Sequence, residues 1–466
     1  MEIIRGRKVK NLKPFFNPSS IVIVGVSREE LTFSYTVLKN LLEIFYRGDI
    51  FIVNPNAEEI LGIKSYHLLE ELPIVPELAV IVLGKQIENI FQQLADFGIK
   101  YIVIESEIKV DSEYQLASRD ASMSIIEHLN DISEKYEVMY MGPSMIGCIN
   151  FIDNFTTSII PVRQHIMKQN RNVKWGASYI AQSGGLAGGL GWWAPGQNVP
   201  ISKVVHLGHG FNIKESDVLH YFREDTETKV ILLFLREISD DLINSVNACA
   251  PIKPVLFFYV GKNSEREKKL KEVGGLGVEN YIELFDFAKI FLWCPAPKGP
   301  NLGIIGPSSG AIHIIAKEMR KQDLSLAKID NKHRNIILDK VGGSTCITGN
   351  PVDYWPPDKF IGTKICGIYN VSSKTLLKDN SVNGLILALE FFIEIEFDFS
   401  IFKNIKELHP DKPIIATLIQ AESEGAKRVI ETATELKIPV FENEVERAVR
   451  GYRLLYDYYS KIAKRK

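Results

Sequence analysis

Short, unbroken apolar runs recur along this sequence, and they constrain its fold more than any other feature. They are Ile21–Val26 (IVIVGV), Ile50–Val53, Leu78–Leu83, Tyr101–Ile104, Val230–Leu235 and Val255–Val260, then Leu302–Ile305, Gly384–Leu389, Pro413–Ile419 and Ile438–Phe441. The runs are continuous rather than alternating, as in parallel strands covered on both faces. Amphipathic stretches such as Ile87–Phe97 and Glu424–Leu436 lie between them and are long enough to serve as crossover helices. Strand and helix in alternation predict an α/β protein built from doubly wound sheets. With 466 residues the chain has room for about three such domains. Two segments read as boundaries, Tyr140–Gly147 and the Pro/Gly-rich Trp293–Gly299. They divide the chain into 1–140, 141–298 and 299–466.

Composition narrows the function. Lys and Arg total 55 against 57 Asp and Glu, a net charge of −2, so no global basicity points to nucleic acid. No apolar run reaches the ~18 residues needed to cross a bilayer, and the start MEIIRGRKVKNLKPFF has no apolar core that would make it a secretory leader. Cys148, Cys249, Cys294, Cys346 and Cys366 are scattered and in no CxxC pair, which argues against a disulfide framework or a zinc ribbon and suits a reducing compartment. The expectation is a soluble, cytoplasmic protein with no metal site of its own and neither nucleic acid nor membrane as partner.

In open α/β sheets ligands bind beyond the carboxyl ends of the strands, where the strand order reverses. The first run ends in Gly25-Val26-Ser27, a turn whose backbone amides would reach a pyrophosphate at the next helix start. It lacks the further glycines of a dinucleotide fingerprint, so a plain strand-to-helix turn is an equal reading. Asn54-Pro55-Asn56 ends the second run and would face the same crevice. The second block holds Gln182-Ser183-Gly184-Gly185 and the third Ser308-Ser309-Gly310, each between a strand and a helix start. Exposed amides and the positive end of a helix dipole make such turns anion traps.

These turns, with FFNPSSIVIVGVS, IVNPNAEEILGIKSY, GPSMIG, IAQSGGLAGG, ESDVLHYFREDTETKVILLF, YIELFDFAK, GNPVDYW and KIPVFENEVERAVRGY, resemble the α subunit of NDP-forming (ADP-forming) acyl-CoA synthetases, in the succinyl-CoA synthetase superfamily. The resemblance implies a Rossmann-like CoA-binding domain followed by two flavodoxin-like ligase domains. It also implies an acid–CoA ligase that works with an ATP-grasp β subunit, which brings ATP/ADP and Mg. A histidine is phosphorylated, the phosphoryl group passes to a small carboxylic acid, and CoA displaces it. CoA would lie against Gly25, Val26 and Ser27 with Asn54, Pro55 and Asn56 nearby, and the Gln182–Gly185 and Ser308–Gly310 helix starts would hold the phosphoryl group.

The sequence departs from that pattern in three places. The relatives carry the acceptor histidine on a loop after the run matching Val255–Val260. Here Gly261 leads into KNSEREKKLKEVGGLGVEN, without a histidine, and the matching helix resumes at Tyr281, so the loop reads as deleted. Glu29, Glu30 and Ser34 stand where relatives keep small residues, and carboxylates beside a pyrophosphate repel it. Ser144 replaces a usual Asn. His209, in His206-Leu207-Gly208-His209-Gly210, is a substitute acceptor candidate, although ordinary loop histidines are the commoner case. His206 and His209 alone fall short of a zinc ligand set. His313 reads as packed or capping, Trp192-Trp193 as core or subunit interface, and the basic ends as solvated. Glu215 and Asp217 match acidic positions that orient the phosphohistidine in relatives, or serve as a helix cap. Two functions follow: an acid–thiol ligase with a rerouted acceptor, or a non-catalytic paralogue that binds CoA, acyl-CoA or a partner subunit. Assembly would be with a β subunit or as a homo-oligomer.

Overall fold

The computed structural model describes residues 10–83, 86–107, 115–162, 174–341, 349–354, 362–390 and 397–465, with a small strand pair at Ile3–Ile4 and Arg7–Lys8. Two compact units result, Met1–Gly277 and Val278–Lys466. The first contains two seven-stranded sheets and the second a sheet of six strands.

The first sheet runs, in spatial order, Glu59–Ile60, Ile63–Tyr66, Asp49–Val53, Ser20–Val24, Leu78–Ile81, Tyr101–Ile104 and Met139–Met141. All neighbours are parallel except the first pair. The order reverses between Ser20–Val24 and Leu78–Ile81. Both strands are buried along their whole length, because Val and Ile fill the two faces of a covered sheet. The crossover helix Ile87–Asp96 turns Phe91 and Leu94 inward and leaves Glu88 and Gln92 outside.

The second sheet is ordered Phe155–Thr156, Gly147–Asn150, Ile201–His206, Gly176–Ala181, Thr228–Leu235, Val255–Tyr259 and Leu276–Gly277. Its order reverses between Gly176–Ala181 and Thr228–Leu235. Beside the parallel strands that the apolar runs marked, Gly147–Asn150 pairs antiparallel with Ile201–His206 and with Phe155–Thr156. Phe155–Thr156 is two residues long and Gly147–Asn150 carries Gly and Asn, so no apolar run marked them.

Buried polar contacts join the two sheets of the first unit. Asn40, 2% exposed, donates from Nδ2 to the Ser158 and Ile160 carbonyls at 2.8 Å and accepts at Oδ1 from the Val162 amide at 2.9 Å. Phe16 stacks on Tyr221 with ring centres 5.0 Å apart, while Asn150 Nδ2 donates to the Phe16 carbonyl at 2.9 Å. A buried amide that lost such partners would leave unpaired polar groups, at about 1–3 kcal/mol each.

In the second unit the strands Ser325–Leu326, Asn301–Gly306, Gly384–Leu389, Ile414–Leu418 and Val440–Glu442 lie side by side, and Val352–Asp353 also pairs with Asn301–Gly306. The order reverses between Asn301–Gly306 and Gly384–Leu389. Helix Tyr281–Trp293 belongs to this unit. Its buried Asp286 accepts from Arg447, and its buried Glu283 from Arg450, on helix Val445–Asp457. Gly451 lets the two helices approach, since a Cβ there would stand 2.1 Å from Ile290. No helix among the described residues is long and apolar enough to cross a membrane.

Candidate functional site

All three turns singled out in the sequence sit at strand ends beside a reversal of strand order, where an α/β sheet opens a crevice. The turns differ in how their backbone amides are used.

At the first, Gly25 has φ +96° and Leu83 rests where its side chain would be, the nearest atom being 2.3 Å from a Cβ. Only glycine fits there. Asn54 Nδ2 donates to the Val26 carbonyl at 2.8 Å, bringing Asn54-Pro55-Asn56 beside Gly25-Val26-Ser27. The Asn56 amide in turn donates to Asn54 Oδ1 at 2.8 Å. One expectation needs correcting, because the helix does not begin behind the glycine. It starts at Phe33 after Thr32, whose hydroxyl caps it. In between, the Ser27 amide donates to Ser34 Oγ at 3.1 Å and the Glu29 amide to Ser27 Oγ at 3.0 Å. Glu29 and Glu30 are exposed on this turn.

The second turn is built differently. Ser183 precedes helix Gly184–Trp193 without a side-chain cap, so among the described residues its first-turn amides take no cap from Ser183. Gln182 is fully committed: Oε1 accepts from the Arg236 and Glu237 amides at 2.7 and 2.9 Å, and Nε2 donates to Glu215 at 3.2 Å. This ties the two strands of the reversal together and brings Glu215 to the helix start. Asp217 serves instead as a cap, accepting from the Lys214 amide and from Lys10 Nζ, both at 3.0 Å. A Cβ on Gly184 would meet Ile146 at 2.4 Å, whereas one on Gly185 would meet nothing within 4 Å. Gly184 is there for packing and Gly185 faces open space.

His206 flanks this start, its Cε1 being 3.4 Å from the position of a Gly184 Cβ. The Ile146 amide donates to His206 Nδ1 at 3.1 Å, so Nδ1 carries the lone pair and Nε2 the proton. Burial, helped by His209, pushes its pKa down to about 4 and keeps the ring neutral. His209 is exposed at the loop tip, its ring near Phe211 and its amide bonded to the Pro143 carbonyl at 3.2 Å.

In the second unit Ser308 likewise precedes helix Ser309–Lys321 without a side-chain cap, and Gly310 is exposed. His313 bonds through Nδ1 to the Ser309 carbonyl at 2.6 Å, which makes it a helix-surface histidine. The interval expected to carry an acceptor histidine, Gly261 to Asn280, has none in its sequence; it includes helix Ser264–Glu272, which Val260–Asn263 joins to Val255–Tyr259.

One residue was missed in the sequence. Glu105 follows Tyr101–Ile104, is 5% exposed, and has Thr157 as its one polar neighbour of note among the described residues. Burial raises its pKa well above the usual carboxylate value, because the charged form loses its hydration there. A carboxylate directly after an apolar strand was the available signal.

Residues 19–129 match the CoA binding domain family, and residues 176–291 match the succinyl-CoA ligase like flavodoxin domain family. Over 468 residues the chain is 25% identical to the α subunit of ADP-forming acetate–CoA ligase II from Pyrococcus furiosus, covering 95% of this chain and 96% of that one. It is also 25% identical to ADP-forming acetate–CoA ligase II from Archaeoglobus fulgidus, covering 94% of this chain and 65% of the relative. Among solved structures, a Pyrococcus horikoshii protein superposes with TM-score 0.83 at 22% identity, covering 97% of this chain and 100% of that one. The dinucleotide-forming acetyl-coenzyme A synthetase 1 of Ca. Korarchaeum cryptofilum, in complex with phosphate and ADP, superposes with TM-score 0.83 at 21% identity, covering 98% of each chain. Those two likenesses concern the fold. The chain thus carries a match to a CoA binding domain followed by a match to a succinyl-CoA ligase like flavodoxin domain, and is similar over nearly its whole length to α subunits of ADP-forming acetate–CoA ligases.

Proposed function

We propose that this chain acts as the α-type component of an acid–CoA ligase, holding CoA at the first sheet's crevice and a phosphate-sized anion at the Gly184 helix start. The observation that carries the reading is the second turn. Its uncapped amides, open Gly185 and neutral imidazole beside them favour an anion over a cation. Gln182 and Glu215 hold that turn rigid, and Glu215 stands where it would orient a group on the helix start. The division into 1–140, 141–298 and 299–466 accompanies the reading, with Ser308–Gly310 as a second anion-holding start within its own unit.

Gly25, Val26 and Ser27 with Asn54, Pro55 and Asn56 would hold CoA. They fit it with one exchange: the Ser27 and Ser34 hydroxyls that hold the Glu29 and Ser27 amides must rotate aside for a phosphate. CoA would supply the thiol that takes the acyl group. ATP or ADP and Mg would arrive with an ATP-grasp partner, and the acid would be a small carboxylate in a cytoplasmic setting. His209, exposed on its loop, is the substitute acceptor in this scheme.

A second reading has its own support. The interval from Gly261 to Asn280 has no imidazole, which suits a non-catalytic paralogue that binds CoA or acyl-CoA for a partner or for a second copy of itself. Calorimetry with CoA, and thiol release from acetyl-CoA on adding inorganic phosphate, separate the two. Binding with thiol release supports the ligase. Binding without release supports the paralogue, and no binding overturns both.

A further inference from the structure

The second unit brings together three side chains that lie far apart in sequence. Asp330 precedes helix Asn331–Val341, His333 stands in that helix's first turn, and Asp379 follows helix Gly362–Lys378. His333 Nδ1 lies 2.9 Å from Asp330 Oδ1 and 3.2 Å from Asp379 Oδ2, and the ligand atoms of all three lie within 4.8 Å of one another. We propose that Asp330, His333 and Asp379 form a divalent-cation site that clamps the start of helix Asn331–Val341 to the turn after helix Gly362–Lys378.

Two arrangements would explain such short distances: an imidazolium shared between two carboxylates, or an ion bound by all three. They differ in where the Nδ1 axis points. A proton joins nitrogen to oxygen only when N–H aims at the oxygen. An ion with bonds of about 2.0–2.2 Å holds neighbouring ligands about 3 Å apart, each well off the axis of the others. His333 Nδ1 is buried and makes no hydrogen bond of acceptable direction to either carboxylate. Two carboxylate oxygens at ion-pair distance with a hydrogen bond to neither fit ligands set around an ion.

The carboxylates are also oriented from behind. Asp379 Oδ2 accepts from the Asp330 amide at 2.8 Å, Asp379 Oδ1 from the Ser381 amide at 2.8 Å, and Asp330 Oδ1 from the His333 amide at 2.8 Å. These backbone donors hold both carboxylates in place, as they do around protein metal sites. The ring is 12% exposed and the Asp379 side chain 7%, while Asp330, at 59%, leaves an open side for entry and for water ligands. Lys412 packs against the same turn, but its ammonium is spent on the Leu377 and Asp379 carbonyls at 2.7 and 2.8 Å. One imidazole with two carboxylates suits Zn2+, Co2+ or Mn2+ better than Mg2+ or Ca2+, which prefer all-oxygen sets. The role is structural, since Asp379 lies on the turn entering Gly384–Leu389, at the opposite end of the strand from its carboxyl-end crevice.

The test uses the full chain, stripped with chelator and dialysed, titrated with Zn2+ by calorimetry and with Co2+ by visible absorption. The expected result is one Zn2+ equivalent bound at micromolar or tighter affinity, lost at least tenfold in His333→Ala and Asp330→Asn. Unfolding should shift up by about 5 °C with Zn2+ in the native chain only. Asp330→Asn, at the exposed position, guards against a His333→Ala variant that fails to fold. Equal Zn2+ affinity in the native chain and both variants overturns the site. So does a His333 ring that stays doubly protonated at pH 7 with saturating Zn2+ present.

Discussion

Two strand ends in the first unit share a topology and differ in electrostatics. At the end of Ser20–Val24 the turn closes on itself, its amides held by serine hydroxyls and its rim carrying Glu29 and Glu30. The nearby end of Tyr101–Ile104 leads into the buried carboxyl of Glu105. At the end of Gly176–Ala181 the amides have no side-chain cap, and the buried titratable neighbour is a neutral imidazole. A glycine after a strand therefore does not by itself make an anion site. What makes one is whether the turn's own side chains have already taken the amides.

The largest effect is expected at Glu105. Its folded pKa is raised, so between the unfolded value of 4.5 and the folded one the unfolded chain releases a proton that the folded chain keeps. Stability falls as pH rises through that window. Glu105→Gln should remove the slope and raise the urea midpoint progressively relative to the native chain as pH rises from 5 to 8. An unchanged midpoint would mean that the carboxyl finds a partner.

His206 has the opposite sign. With a folded pKa of about 4 against 6.5 unfolded, its contribution is complete above pH 6.5 and is lost as pH falls toward 4. The span amounts to roughly 3 kcal/mol at most. His206→Gln should flatten the acid limb of the stability curve, and a limb that keeps its slope would assign it to other groups.

Next come the paired glycines. Gly184→Ala forces a methyl against Ile146 and should cost about 1–3 kcal/mol. Gly185→Ala enters open space and should gain up to ~1 kcal/mol through helix propensity. Equal effects in denaturant melts would dissolve the contrast between a packing glycine and an open one. The smallest effect is at the first rim: Glu29→Gln with Glu30→Gln should tighten CoA binding about two- to fivefold at low salt, and less at high salt, because exposed charges are screened.

Much of this was legible in the sequence. Tyr101–Ile104 and Gly384–Leu389 are strands with the bounds their apolar runs suggest, and Ser264–Glu272 is the Lys/Glu-rich helix expected after Gly261. Covered parallel strands are apolar on both faces, so they declare themselves. The antiparallel strands Gly147–Asn150 and Phe155–Thr156 did not, since their partners rather than their residues make them strands. The turns of the site were found by their glycines. Whether each turn was open depended on Ser34, Thr32 and Gln182 reaching particular amides, and those contacts leave no local pattern. Asp379 meets His333 only through the fold, which is why no ligand spacing revealed the pair. Cys346 and the end of GNPVDYW lie outside the described residues.

The open helix start is tested most directly by deleting one of its amides. Gly185→Pro removes a backbone donor at a first-turn position where proline is tolerated. With phosphate as the titrant, calorimetry should show binding to the native chain and about tenfold weaker binding to the variant, with helix content unchanged by circular dichroism. Equal phosphate affinity in the two proteins would place the anion elsewhere and contradict the proposed role of this turn.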